Sequence, residues 1–297
     1  MGIGTRMYRL GAVLPGIVLS AAFLMVVAAS LPSALAGLLE VGYAAAAVAL
    51  ACGRFESQAV HVLGRARRAT PGEERWLREV AGWLGGRGFD VPDLYVAKRD
   101  VGRAAAEPCG RNSVVLAPRM LGWLHRQQIS QAVVATVVAQ AAAGLQVGPS
   151  RFDLAVRALT APGALVVAAF DRIARCFTWV PGVLGLWRIR AAFGIVAVWQ
   201  CLQAHEVTFA VTTGLLITVS YSAPACARAW RRRVEVAADQ IVATAGLGDQ
   251  LEFAVRSADE AGSIDRVERI RRAARQSTVV AGDGGAGGVA RQLYLVR

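Results

Sequence analysis

Hydrophobic positions along the chain fall into long unbroken runs at the start and into helical or alternating patterns further on. Leu10 to Leu31, LGAVLPGIVLSAAFLMVVAASL, carries no charge. About 20 apolar residues in a helix cross the hydrocarbon core of a bilayer, so this run predicts a membrane span. It is longer than the apolar region of a signal peptide. A second run, Ala34 to Cys52, follows after Pro32-Ser33 and is broken only by Glu40. Two spans with so short a connection predict a helical hairpin.

From Arg54 to Gln131 the pattern changes. Trp76, Leu77, Val80, Trp83 and Leu84 recur at helical spacing. Thr70 is placed to cap that helix, with Pro71 at its first position and Glu73 and Glu74 in its first turn. PDLYVAK (Pro92 to Lys98) and NSVVLAP (Asn112 to Pro118) read as short strands. The segment predicts a small α+β domain outside the hydrocarbon. Gln128 to Gly148 reads as an apolar helix bearing little that reacts. Two further apolar regions follow. The first, Ala161 to Trp187, is interrupted by Asp171, Arg172, Arg175 and Pro181-Gly182. The second, Ala191 to Ala225, has Gln200, Gln203, His205 and Glu206 partway along it. Beyond Arg228 the chain is polar and helical to about Arg275, and then Gly-rich, as a flexible linker would be.

Five parts follow from this pass: a hairpin over 1–53, an α+β part over 54–150, two further membrane helices over 151–225, a helical part over 226–275, and a tail over 276–297. The expected fold is a mainly α membrane protein with about four transmembrane helices and a small cytoplasmic α+β domain.

Composition agrees. Of 297 residues 55% are hydrophobic and 18% charged, with mean hydropathy +0.42, too apolar a balance for an ordinary soluble domain. The net charge of +12 is spread over several segments without a nucleic-acid motif, so no nucleic-acid partner is expected. Basic residues in the N-terminal nine, in 54–131 and in RAWRRR (Arg228 to Arg233), against none at the hairpin tip, orient both termini and the α+β domain toward the cytoplasm. The expected location is the plasma (inner) membrane. Cys52, Cys109, Cys176, Cys201 and Cys226 are scattered and never form a C-x-x-C pair, which argues against a disulfide framework or a thiolate zinc site.

The order of segments resembles the HtpX and CAAX-prenyl-protease type of integral-membrane zinc metalloprotease, from about Trp76 to about Leu251. In that family a strand like LYVAK is followed by an edge strand and by A-V-x-A-H-E-x-x-H. Here AAAEPCGRNSVVLAPRML (Ala104 to Leu121) precedes AVVATVVAQ (Ala132 to Gln140). On that registration Thr136 and Gln140 stand at the two zinc-histidine positions, and Val137 at that of the general-base glutamate. Zinc chemistry needs both imidazoles at i and i+4, on one helix face, and a carboxylate to polarise the bound water. Thr and Gln are poor ligands, and Val moves no proton. RRRVEVAADQIVATAGL (Arg231 to Leu247) matches the family's S-R-x-R-E-x-x-A-D segment, which places Glu235 at the third ligand and Asp239 at the carboxylate that orients a ligand histidine. E-x-x-x-D is also common on solvated helices.

The resemblance implies a frame that has lost its catalytic set, a pseudoprotease that acts by binding a membrane protein or an unfolded peptide. Asn112, Ser113, Val114, Val115 and Leu116 are the expected docking edge strand, since a substrate strand can add to a sheet edge by main-chain hydrogen bonds. No cofactor is expected, and oligomers are left open. One alternative is an active zinc endopeptidase with unusual ligands, for instance Glu235 together with His125 or His205; His61 is the third histidine of the chain. In HEVTF the partner position of a second histidine is Phe209. Another is a non-enzymatic membrane scaffold unrelated to proteases.

Overall fold

A computed structural model describes residues 3–99, 105–147, 152–176, 190–257 and 263–283. The protein is mainly helical with one small sheet, and it divides into two compact units. One comprises Met1–Val48 with Ala155–Arg232, the other Ala49–Leu154 with Arg233–Arg297.

The first unit contains α1 (Ile3–Ala29) and most of α2 (Ser33–Ala51). Both are long and apolar enough to cross a membrane, and their outward positions, such as Leu10, Val26, Leu38 and Val48, are large exposed hydrophobics. Two apolar helices thus stand where the hairpin was predicted. They are followed in this unit by most of α7 (Asp153–Cys176), by α8 (Arg190–Gln203) and by the N-terminal part of α9 (Val207–Val242). Pro162 lies inside α7 and cannot donate to the carbonyl of Ala158, four residues back. The Tyr43 hydroxyl donates to that carbonyl (3.1 Å) and to that of Leu159 (2.8 Å). Ser20 Oγ accepts from the Gly163 N–H at 2.9 Å. The proline thus opens α7 at a place where α1 and α2 supply the missing partners. A Cβ on Gly163 would stand 3.0 Å from the Gly16 carbonyl oxygen, so this crossing of α1 and α7 needs glycine.

The long apolar region Ala191–Ala225 is not one continuous span. His205 adopts φ 59°, in the left-handed region. Its N–H bonds to the Leu202 carbonyl at 3.1 Å, and the Glu206 N–H to that of Cys201 at 2.9 Å. This pair of bonds is the Schellman closure of a helix C-terminus. It ends α8 and restarts the chain as α9, with His205 and Glu206 both exposed. Pro181-Gly182, the Asp171 and Arg175 side chains, and the tail after Asp283 lie outside the described residues.

The second unit holds the sheet. β1 (Ala66–Arg67), β2 (Asp93–Ala97), β3 (Ala106–Cys109) and β4 (Ser113–Leu116) are arranged in the order β1-β2-β4-β3. β2 and β4 are parallel, in register Leu94 with Val114 and Val96 with Leu116, while β1 and β3 run antiparallel to their neighbours. Alternation along the strands builds two layers. Val96 and Leu116 face a core shared with α4 (Pro71–Gly85), α5 (Pro118–His125) and α6 (Gln131–Val147). Tyr95, Ala97, Cys109 and Val115 face Ala59 and Val60 of the short helix α3 (Glu56–Val62), with Leu154 beside them.

One expectation about the sheet changes. NSVVLAP does form a strand, but β4 is interior, hydrogen-bonded to β2 on one side and to β3 on the other. Asn112, Ser113, Val114, Val115 and Leu116 therefore offer no open edge to a docking peptide, because their main-chain groups face ladders on both sides. On that side of the sheet the terminal strand is β3, with Glu107 and Pro108 in it, two residue types depleted in strands. Burial patterns agree with this placement, since all four residues of β4 are buried and only Cys109 of β3 is.

Candidate functional site

The stretch with so little chemistry is the central helix of the second unit. Twelve of the residues of α6 are buried, and the helix packs against α4, β3, β4 and the helix α10 (Gly248–Ser257). Ala, Val and Gly suit such a position because they let neighbours approach from every side. Gly144, for example, has Pro108 of β3 and Val234 of α9 next to it.

The three residues at the metalloprotease positions have different fates. Thr136 is fully buried, and its hydroxyl donates back along the helix to the Ala132 carbonyl at 2.7 Å. Val137 joins the core. Only Gln140 reaches across, donating from Nε2 to Oδ1 of Asp239 on α9 at 2.7 Å. The two segments that sequence pattern alone set 99 residues apart are thus in direct contact.

Glu235 and Asp239 share a face of α9, as their i, i+4 spacing predicts, and both engage one cation. Arg266, near the start of α11 (Ser263–Asp283), donates from Nε to Asp239 Oδ2 and from Nη2 to Oδ1, each at 3.0 Å. Its Nε also lies 3.1 Å from Glu235 Oε1. Asp239 is almost completely buried, the Arg266 side chain is 12% exposed, and that of Glu235 is 39% exposed. Burial pushes the Asp239 carboxyl above its ordinary value. The hydrogen bonds and charge of Arg266, the charge of Arg269 and the Gln140 amide act against that rise.

This arrangement does not fit zinc. Its neutral donor is an amide in place of an imidazole, and its two carboxylates already hold a guanidinium within hydrogen-bond distance. A dication near them would have to displace Arg266 and would feel Arg269 as well. Among the described residues no group of three or more His, Cys, Asp or Glu is placed to hold a metal ion. The histidines are engaged or placed elsewhere. His61 Nδ1 is 2.9 Å from the Ala66 carbonyl and its ring meets Tyr95 edge-on. His125 meets Trp76 edge-on, and His205 forms the turn between α8 and α9. Chemically, the cluster can hold α6, α9 and α11 together.

Arg266 was missing from the sequence-derived site. Its signal was the run SIDRVERIRRAARQ, in which Val267, Ile270 and Ala274 set an inward stripe and Arg266 stands beside it. Compared with family models, with curated proteins and with solved structures, the chain matches none of them.

Proposed function

We propose that the protein is a catalytically inactive, HtpX-like membrane metalloprotease homologue that acts by holding a polypeptide partner, either a membrane protein or an unfolded segment. The observation that carries this reading is the contact of Gln140 with Asp239 beneath Arg266. Gln140, at one of the zinc-histidine positions of the resemblance, meets the carboxylate of Asp239, and Arg266 lies against both Asp239 and Glu235, where this reading would put the metal. The α1–α2 hairpin supports membrane attachment. Under this reading α7 and the charge-free N-terminal part of α9 complete four spans, with both termini in the cytoplasm of an inner membrane. The terminal strand β3, beside α6, is where an extended peptide would add.

The test is the zinc content of the detergent-purified full chain, with Glu235→Ala alongside. Less than about a tenth of an equivalent, unchanged by the substitution, is the expected result, because a structural zinc site binds tightly enough to survive purification. Near one equivalent, lost in Glu235→Ala, would overturn the proposal in favour of an active enzyme with an unorthodox metal site.

A further inference from the structure

The segment that leaves α2 carries a feature the pseudoprotease reading does not use. α2 ends at Ala51, and Arg54 follows three residues later. Between them Gly53 turns the chain with φ 79°. Phe55 then sits at φ 60°, ψ 26°, an unfavourable place for a bulky residue, with its side chain 64% exposed. Helix α3 turns Ala59 and Val60 into the core and leaves Gln58 and Val62 outside, with Val62 73% exposed. A second left-handed residue, Arg65 (φ 47°), follows the helix. The backbone thus bends at both ends of α3, and a phenylalanine and a valine are held out of the core.

The charges around this helix are one-sided. Arg54, Arg65 and Arg68 are exposed, and the Arg111 guanidinium lies alongside Gly53. The one acid on α3 is tied inward. Glu56 Oε1 accepts from the Arg111 N–H (2.8 Å), the Asn112 N–H (3.1 Å) and the Ser113 hydroxyl (3.0 Å) at the β3–β4 turn. Arg67 is already matched by Glu73, so the unmatched cations are the outward ones.

We infer that α3 is a membrane-surface anchor, with Phe55 and Val62 entering the interface and Arg54, Arg65, Arg68 and Arg111 binding anionic lipid headgroups. This inference rests on α2 being a membrane span, and it is independent of the pseudoprotease reading. Three residues of chain reach about 10 Å at most, so Arg54 stays in the headgroup layer of the bilayer that α2 enters or just outside it. Arginines at that depth gain from a negative lipid surface, and exposed aromatic and aliphatic side chains next to them gain from partial burial. Anchoring α3 also fixes one layer of the sheet, because Ala59 and Val60 pack under Tyr95 and Val115.

The experiment is hydrogen exchange on the full chain in lipid nanodiscs, comparing phosphatidylcholine alone with phosphatidylcholine plus phosphatidylglycerol. The amides of Ser57–Leu63 are expected to exchange about tenfold more slowly over the anionic bilayer, because several arginines attract its headgroups together. High salt removes the difference in the unaltered protein, because screening shortens the reach of surface charge. The combined change Arg54→Gln, Arg65→Gln and Arg68→Gln removes it as well, while Arg271→Gln does not. Slow exchange in α2 with equal exchange of α3 over both bilayers overturns the anchor alone. Fast exchange in α2 over both bilayers overturns the membrane hairpin along with it.

Discussion

Asp239 is where the separate helices of this site meet: its carboxylate holds Gln140 of α6 and Arg266 of α11 around one charge. A buried carboxylate without a partner is costly, whereas removing a whole buried ionic group is often nearly neutral. Arg266→Ala is therefore expected to destabilise the second unit by about 3 kcal/mol, since Asp239 is left buried with only the Gln140 amide and the charge of Arg269 to offset it. Gln140→Leu removes one neutral donor and keeps the arginine, which predicts a smaller loss of about 1–2 kcal/mol. Pulse proteolysis in denaturant, following fragments of the second unit, measures both. Equal losses would mean that Arg266 is peripheral. The pH dependence has a definite sign. The Asp239 carboxyl is raised, so the folded state holds its proton more tightly than the unfolded chain does. Its stabilising contribution is complete below the ordinary aspartate value and is lost as pH rises through the raised one. In Arg266→Ala the opposing hydrogen bonds and charge of that arginine are gone, and that loss should extend to higher pH.

At the scale of the element, α4 shows how far local rules reach. Thr70, Pro71 and Glu73 predict where it begins, and the helix runs Pro71–Gly85 with a capping box between Thr70 and Glu73. The Glu73 carboxylate accepts from the Thr70 N–H at 2.8 Å and takes both arms of Arg67, at 2.6 and 2.7 Å. The Arg67 hydrogen bonds bring its pKa down to about 2. Because the folded value is depressed, Glu73 stabilises the protein above the ordinary glutamate range, and that contribution is lost as pH falls toward 2. Glu73→Gln keeps an acceptor for the Thr70 N–H but loses the charge paired with Arg67, which should cost about 1 kcal/mol at neutral pH. The gap to the unaltered protein should close in unfolding curves taken at progressively lower pH. A gap that persists at pH 2 would point to packing and not to charge. The two N-terminal apolar helices and the strands β2 and β4 were legible for a similar reason, since length, apolar run and alternation are local properties. β3 was not, because Glu107 and Pro108 speak against a strand, and it exists by pairing with β4. The break at His205 was equally hidden, since a left-handed histidine leaves no pattern in an apolar run. At the site, spacing correctly set Glu235 and Asp239 on one face, whereas Arg266 comes from a helix that only tertiary packing brings to them.

At the scale of the whole molecule, the second unit is discontinuous in sequence. Its sheet and α6 come from Ala49–Leu154, and the helices that close over α6 come from beyond Arg233. Val242, Leu247, Leu251, Val255, Val267 and Ile270 all belong to the core that contains Val134 and Val138 of α6. Neither portion buries its apolar face alone. Hydrophobic stabilisation scales with area removed from water, at roughly 25 cal/mol per Å², and α6 would lose its α9, α10 and α11 contacts together if the later portion were removed. A chain ending at Arg232 keeps α1, α2, α7, α8 and most of α9, so it should still enter the membrane. Its 49–154 segment, however, should be cut by protease within the time the full chain resists. Limited proteolysis of both proteins in the same detergent, with the fragments identified by mass, checks this. If 49–154 survived intact without the C-terminal helices, the sheet and α6 would form a self-sufficient domain. The ionic cluster at Asp239 would then be an addition to that domain and not part of what closes it.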